Sequence, residues 1–343
     1  MVPRCSARVS ERNDTKEQSG FEQVTEVPVH VLNTYSRLWQ LETWLRTMVY
    51  VELRALLGDD WAKDLSPSSN SFAADKSLTH MPTPEMNALS YALLSKLTGL
   101  ISSYWDYFSV YLPPKDLWDA KLREVAQIRH RVAHFRVGHV DDLPRLKQFL
   151  RDIDKGFWTF CTSYNDMNAV IPQESDPIAK HFLPFDPLPW VEVEEKTWAQ
   201  VGFRDKSLVV GLSVRSQRRP WCREPLEAGK PGHLYDFYMF AQDGRTFDLP
   251  YLLERTRRRH HHLVHLCLDD LDHSVRFTVP AILGETTIKE IVQSWYDAAV
   301  GACRRSPLRP PADLVDRWPE YVIGSSNPLT FLAPSMPCSF FGV

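Results

Sequence analysis

The sequence predicts a two-domain α+β protein, with an all-helical N-terminal unit followed by an α+β unit whose sheet is mostly antiparallel. Three observations predict it. The 343 residues are about twice the length of a typical single domain. Apolar residues recur at steps of three and four up to about residue 164, and beyond about residue 190 the period shifts towards two. Between these stretches, Asn165 to Pro189 (NDMNAVIPQESDPIAKHFLPFDPLP) is heavy in Pro and Asp, which marks residues 166–189 as a linker.

Residues 1–25 lack periodicity and are rich in charge and Ser, so they read as a flexible arm. The helical unit spans residues 26–165. Its first helix runs from Val29 to Leu57, where Leu32, Tyr35, Leu38, Leu41, Leu45, Met48, Val49, Val51 and Leu56 mark one buried face and Gly58 supplies the stop. Asp64 to Met86 is loop chemistry, rich in Ser, Asn and Pro. A second helix runs from Met86 to about Tyr111 and ends at Pro113–Pro114, which cannot donate helical hydrogen bonds. A third extends from Lys115 to about Phe135, and a fourth from Leu143 to about Tyr164.

In the second unit, residues 190–306, four segments alternate apolar and polar side chains as half-buried strands do: Val191 to Glu195, Leu208 to Val214, Leu234 to Phe240 and Leu263 to Leu268. Asp243–Gly244, between Phe240 and Phe247, signals a hairpin. A helix over Thr286 to Cys303 packs through Ile288, Ile291, Val292, Trp295 and Ala299. The tail, residues 307–343, is Pro-rich and is assigned no structure.

Composition narrows the function classes. With 43% hydrophobic and 24% charged residues the chain can bury a sizeable core. A formal charge of −3 is no global basic signature, so any nucleic-acid surface must be local. The six cysteines stand singly, without a C-x-x-C pair, which argues for reduced thiols and against a zinc ribbon. A polar N-terminus and the lack of any window near 18–20 apolar residues predict a cytoplasmic protein with no membrane association. Neither a Walker motif nor G-x-G-x-x-G appears, so no nucleoside triphosphate or dinucleotide cofactor is expected.

The residues that carry chemistry are Ile128-Arg129-His130-Arg131-Val132-Ala133-His134-Phe135-Arg136. Metal-independent RNA cleavage needs a base for the ribose 2′-hydroxyl, an acid for the leaving 5′-oxygen, and a cation for the pentavalent phosphorane. Histidine suits the first two, because its ordinary pKa of roughly 6.5 leaves both protonation states available. Arginine suits the third, because its fork stays charged and matches phosphate oxygens. Residues five apart lie about 140° from each other on an ideal helix, so Arg129 and His134 do not sit side by side, whereas His130 and His134 share a face. Two copies across a two-fold axis would line one cleft with both motifs, which makes a homodimer part of the expectation.

Arg129 and His134 match the R-x4–6-H motif of the HEPN superfamily, which this segment resembles. The flanks are similar too: a preceding LSYALLSKLTGLISSYWDYF, an approach LWDAKLREVAQIRHRVAHFR, then Asp141–Asp142 and a closing helix. LETWLRTMVYVELRALLGDDW resembles the first helix of HEPN domains in bacterial defence and RNA-surveillance proteins, with Glu42 and Arg46 at its polar positions. The resemblance covers roughly residues 30–165. It implies an HEPN-like helical bundle acting as a metal-independent endoribonuclease on single-stranded RNA, in a defence or toxin–antitoxin context, restrained by an antitoxin or other regulatory protein. Arg129 would be the phosphate clamp, His134 the general acid/base and His130 a helper at the position where the fuller motif prefers Asn, with Arg131 and Arg136 guiding RNA. The alternative is a non-catalytic module that binds a nucleotide or a protein partner.

Other features have bland readings. The run Arg255 to His262, with His265, Cys267, Asp269, Asp270, Asp272 and His273, invites a zinc site but reads better as a strand flanked by solvated charges, so no metal is assigned. Arg215 to Arg223, clustered around Trp221, is either an RNA-contacting patch or an ordinary loop at a sheet edge. Glu194 and Glu195 point to opposite strand faces and make a poor acid/base pair. Trp105, Tyr107 and Phe108 read as core or dimer interface.

Overall fold

The structure is a computed structural model describing residues 27–63, 65, 73–74, 77–78, 80, 88–164, 168–200, 207–269, 271–305, 322–324 and 340–341. The expected N-terminal arm, most of the loop before Met86, and Cys5, Cys338 and Asp270 lie outside the described residues.

Helix α1 spans Val29–Leu57, as its apolar spacing predicts, but its first turns extend past the core, so Leu32 and Tyr35 of the expected buried face are exposed. Gly58 ends it at φ 61°, donating its N–H to the Arg54 carbonyl. A Cβ there would also lie 3.0 Å from Ile282 and Leu283, so both backbone angle and space require glycine. The second expected helix is broken into a 3₁₀ turn at Ala88–Tyr91, α2 (Leu94–Ser103) and α3 (Trp105–Phe108). The break falls at Tyr104, where aromatic side chains crowd the preceding turn. It lets Phe108 enter the core while Tyr107 meets Trp221 edge-on at 4.9 Å. Helix α4 (Lys115–Ala133) follows Pro113–Pro114, and α5 (Asp142–Thr162) returns across α1. Gly156 on α5 is the point of closest approach, since a Cβ would fall 1.6 Å from the Tyr111 carbonyl oxygen.

The remainder is α+β. Five antiparallel strands form the main sheet in the order β1 (Ala169–Val170), β4 (Val210–Arg218), β5 (His233–Ala241), β8 (Ser274–Pro280), β7 (His265–Leu268). Val214, Phe237 and Phe277 lie opposite one another across three strands and are buried. Helix α8 (Glu285–Ala302) covers this face through Ile288, Ile291, Val292 and Trp295, all wholly buried. A smaller sheet pairs β2 (Trp190–Glu194) with β3 (Thr197–Gln200). Buried apolar side chains sort into two clusters, one centred on the helices and one between the main sheet and α8.

Several expectations need correction. Residues 166–189 are no mere linker, because they contain β1 and a helix, α6 (Pro177–Phe182), whose Ile178 and Phe182 are fully buried in the sheet cluster. Asp176 caps α6 by accepting from the N–H groups of Ile178 and Ala179, with Pro177 at the first helical position, so the Asp-Pro signal marked a helix start. The Asp243–Gly244 turn forms, with both residues at positive φ, but β6 (Arg245–Phe247) pairs with β9 (Cys303–Arg305) instead of folding back on β5. Strand β8 and helix α7 (Leu249–Thr256) were not anticipated. Arg257 to His262 is a 3₁₀ segment, not part of a strand.

The tail also differs. Residues 322–324 form β10, which pairs antiparallel with β3. Phe340 and Phe341 return to the helices, where Asp154 accepts from both of their backbone N–H groups at 2.9 and 2.7 Å. Phe341 is buried against the helical cluster. Among the described residues no helix is long and apolar enough to cross a membrane.

Candidate active site

Helix α4 buries Trp118, Leu122, Val125, Ile128 and Val132, a spacing that turns Arg129 and His130 outward beside α2. Arg129 and His130 line one groove with Leu93, Ser95, Thr98 and Asp119. The helix ends within the motif. His134 is its C-cap, Phe135 follows at φ 54°, and the Phe135 and Arg136 N–H groups bond back to the carbonyls of Val132 and Arg131. This is the backbone closure usually given to glycine. A phenylalanine there is strained and its side chain is 97% exposed, with exposed Val137 and Val140 close by in sequence.

The structure brings His130 and His134 together, as four-residue spacing requires, with ring centroids 4.4 Å apart in an edge-on arrangement. Arg129 goes elsewhere. Its Nε donates to Glu42 Oε1 at 2.6 Å, while the other Glu42 oxygen takes Arg46 at 2.9 Å. Two guanidinium groups therefore share one carboxylate on α1, leaving a net positive charge. Arg46 is itself fixed by the Leu89 carbonyl at 3.0 Å. Among the described residues the terminal Arg129 nitrogens have no protein partner, and its side chain is one-third exposed.

Arg131 turns the other way, to Asp142 at the start of α5. The same carboxylate accepts the His139 backbone N–H at 3.0 Å, so this pair ties down the loop between α4 and α5. Arg136 is exposed. Glu42 is the residue whose part the motif did not reveal. Its signal was present: an acid between Leu41 and Leu45 on an otherwise apolar face needs a buried cation partner.

The arginine patch around Trp221 is not an RNA surface as a whole. Arg215 is buried against Asp236 at 2.8 Å, and Arg219 and the Trp221 indole N–H both bond Glu52 of α1. The zinc set suggested between His260 and His273 does not converge. His260 stacks on Trp295, His265 packs edge-on against Tyr164, and Cys267 is exposed. Burial, helped by the charge of Arg219, lowers His265 to a pKa of about 4.

No family model, characterised protein or solved structure matches this chain.

Proposed function

We propose that the N-terminal helices form an HEPN-type unit and that the chain is a metal-independent endoribonuclease acting in the cytoplasm on single-stranded RNA. The observation that carries the proposal is the paired His130 and His134 rings at the end of α4, with His130 lining the same open groove as an Arg129 held by Glu42. One imidazole takes the proton from the ribose 2′-hydroxyl, whose oxygen attacks the adjacent phosphorus. The other donates a proton to the departing 5′-oxygen, leaving a 2′,3′-cyclic phosphate and a 5′-hydroxyl. Arg129 offers its terminal N–H groups to the phosphate oxygens, where charge builds up. Exposed Phe135, Val137 and Val140 beside the histidines support a second copy closing the groove. The resemblance adds a defence setting and a restraining antitoxin as partner.

The Arg129–Glu42 pair also favours a second reading, a non-catalytic module, since the carboxylate already engages the Arg129 Nε in a tie between α4 and α1. Cleavage of single-stranded RNA in EDTA separates the two. Cleavage with cyclic-phosphate ends that is lost in Arg129→Ala and His134→Ala, at unchanged circular dichroism, supports the enzyme. Cleavage undiminished in either variant overturns the assignment, and RNA binding without cleavage favours the module.

A further inference from the structure

One cluster of ligand-type side chains lies outside the candidate active site. Asp59 sits in the 3₁₀ turn Gly58–Ala62 at the end of α1, and His261 and His262 end the 3₁₀ segment Arg257–His262. They are about 200 residues apart in sequence, and His262 Nδ1 lies 2.6 Å from Asp59 Oδ2. The His261 and His262 rings are 3.8 Å apart. One ligand atom from each of the three residues falls within 4.8 Å of the other two.

We infer that Asp59, His261 and His262 hold one divalent transition-metal ion of the zinc class, bridging the end of α1 to the segment that leads into the main sheet. Two imidazoles and a carboxylate are the donor set for borderline ions such as zinc, cobalt or nickel, whereas calcium and magnesium need oxygen ligands throughout. Tetrahedral ligands about 2.0 Å from the metal stand about 3.3 Å from each other. The Asp59 carboxylate and His262 imidazole, 2.6 Å apart, therefore part by less than one ångström, while the ligand atoms, which lie within 4.8 Å of one another, close by up to about 1.5 Å, and Asp59 and His261 are exposed enough to allow both shifts. Water completes the fourth position.

The surroundings already hold both ligand-bearing segments. Arg54, whose side chain is only 1% exposed, donates to Asp59 Oδ1 at 2.8 Å and to the His262 carbonyl at 2.6 Å. It thus orients the carboxylate from behind and turns Oδ2 towards His262 Nδ1, where the cation would enter between the two in place of their hydrogen bond, as outer partners of metal ligands arrange. A bare triple-histidine tract would bind metal without Asp59. The inference requires that Asp59 contribute and that His260, stacked on Trp295, does not.

The full chain, freed of metal by chelator dialysis, is titrated with cobalt(II) and followed by visible absorbance, then displaced with zinc. One cobalt per chain with a tetrahedral spectrum is expected. His261→Ala and Asp59→Asn weaken binding tenfold or more, while His260→Ala leaves it unchanged. His261 is exposed, so its variant keeps the fold, checked by circular dichroism. Absence of a tetrahedral spectrum overturns the inference. So does wild-type affinity in Asp59→Asn, or an equal loss in His260→Ala, which marks an ordinary histidine tract. RNA cleavage is not the readout, so this result stands or falls apart from the ribonuclease proposal.

Discussion

Glu52 on α1 and Arg219 just past β4 form an ion pair in which neither side chain reaches solvent. Arg219 Nε donates to Glu52 at 3.1 Å, as do the Trp221 indole at 2.7 Å and the Tyr111 hydroxyl at 2.9 Å. The guanidinium also lies 4.5 Å from the Tyr164 ring centre. Further contacts join the same faces: Tyr50 donates to the Leu263 carbonyl, and the Gly232 N–H to the Ala55 carbonyl. Helix α1 is therefore the shared wall of the helical and sheet units.

Breaking this pair from one side strands a buried charge. Glu52→Leu is expected to cost about 3–5 kcal/mol in urea unfolding. Adding Arg219→Met to that variant recovers part of the loss, because two apolar side chains need no desolvated partner. A Glu52→Leu penalty below about 1 kcal/mol would contradict this account.

Glu42 holds Arg129 and Arg46 through its two carboxylate oxygens. In Glu42→Gln the charge that holds both arginines disappears, and under the proposed ribonuclease reading Arg129 loses its position as phosphate clamp. The expected result is a kcat lowered about ten- to a hundredfold with KM little changed and the circular dichroism preserved. A Lys at position 129 does not rescue the wild-type Glu42 background, since an ammonium lacks the planar fork. Wild-type kcat in Glu42→Gln would remove Glu42 from the site.

Acid should loosen the sheet unit. Burial lowers both His233 and His265 to about 4, with Arg218 and Arg219 respectively adding to the effect. The unfolded chain then binds more protons than the folded one between pH 4 and about 6.5, so stability present above that window is lost as pH falls through it. Asp186 opposes this, because burial raises it to about 6 and its folded form binds the extra proton. His265→Gln is expected to flatten the decline in urea midpoint between pH 6.5 and 4.5, and Asp186→Asn to steepen it. An unchanged slope in both would refute the assignment.

Phe340 and Phe341 are tied to the helical unit. Arg37 donates to the Phe341 carbonyl at 2.6 Å while Asp154 holds both terminal phenylalanine N–H groups. Phe341→Ala is expected to cost about 3–5 kcal/mol, as other large core truncations do. Asp154→Asn costs less because it retains one acceptor. A melting temperature unmoved by Phe341→Ala would show that the contact carries no energy.

Much of the architecture was readable from residue spacing. Helix α1 ends where Gly58 follows Leu57, and the helix expected from Thr286 to Cys303 is found at Glu285–Ala302. The His130–His134 neighbourhood followed from helical period alone. The arginine cluster around Trp221 left two readings open, an RNA patch or a loop at a sheet edge, because its charge is visible locally whereas Glu52, the partner of Arg219, is 167 residues away. Pro and Asp in residues 166–189 suggested a linker, although Ile178 and Phe182 were already the apolar signal of a buried helix.

By itself the sequence determined the helical and sheet halves, the bounds of the long helices α1, α4, α5 and α8 to within a few residues, and which end of α4 carries the Arg–His motif, because period and capping act within a few residues. Only the tertiary structure decided which distant groups meet: Glu42 with Arg129 across 87 residues, and Asp59 with His262 across 203. An ion pair or a ligand set is fixed by where distant helices and turns come to rest, and local spacing holds no record of that meeting.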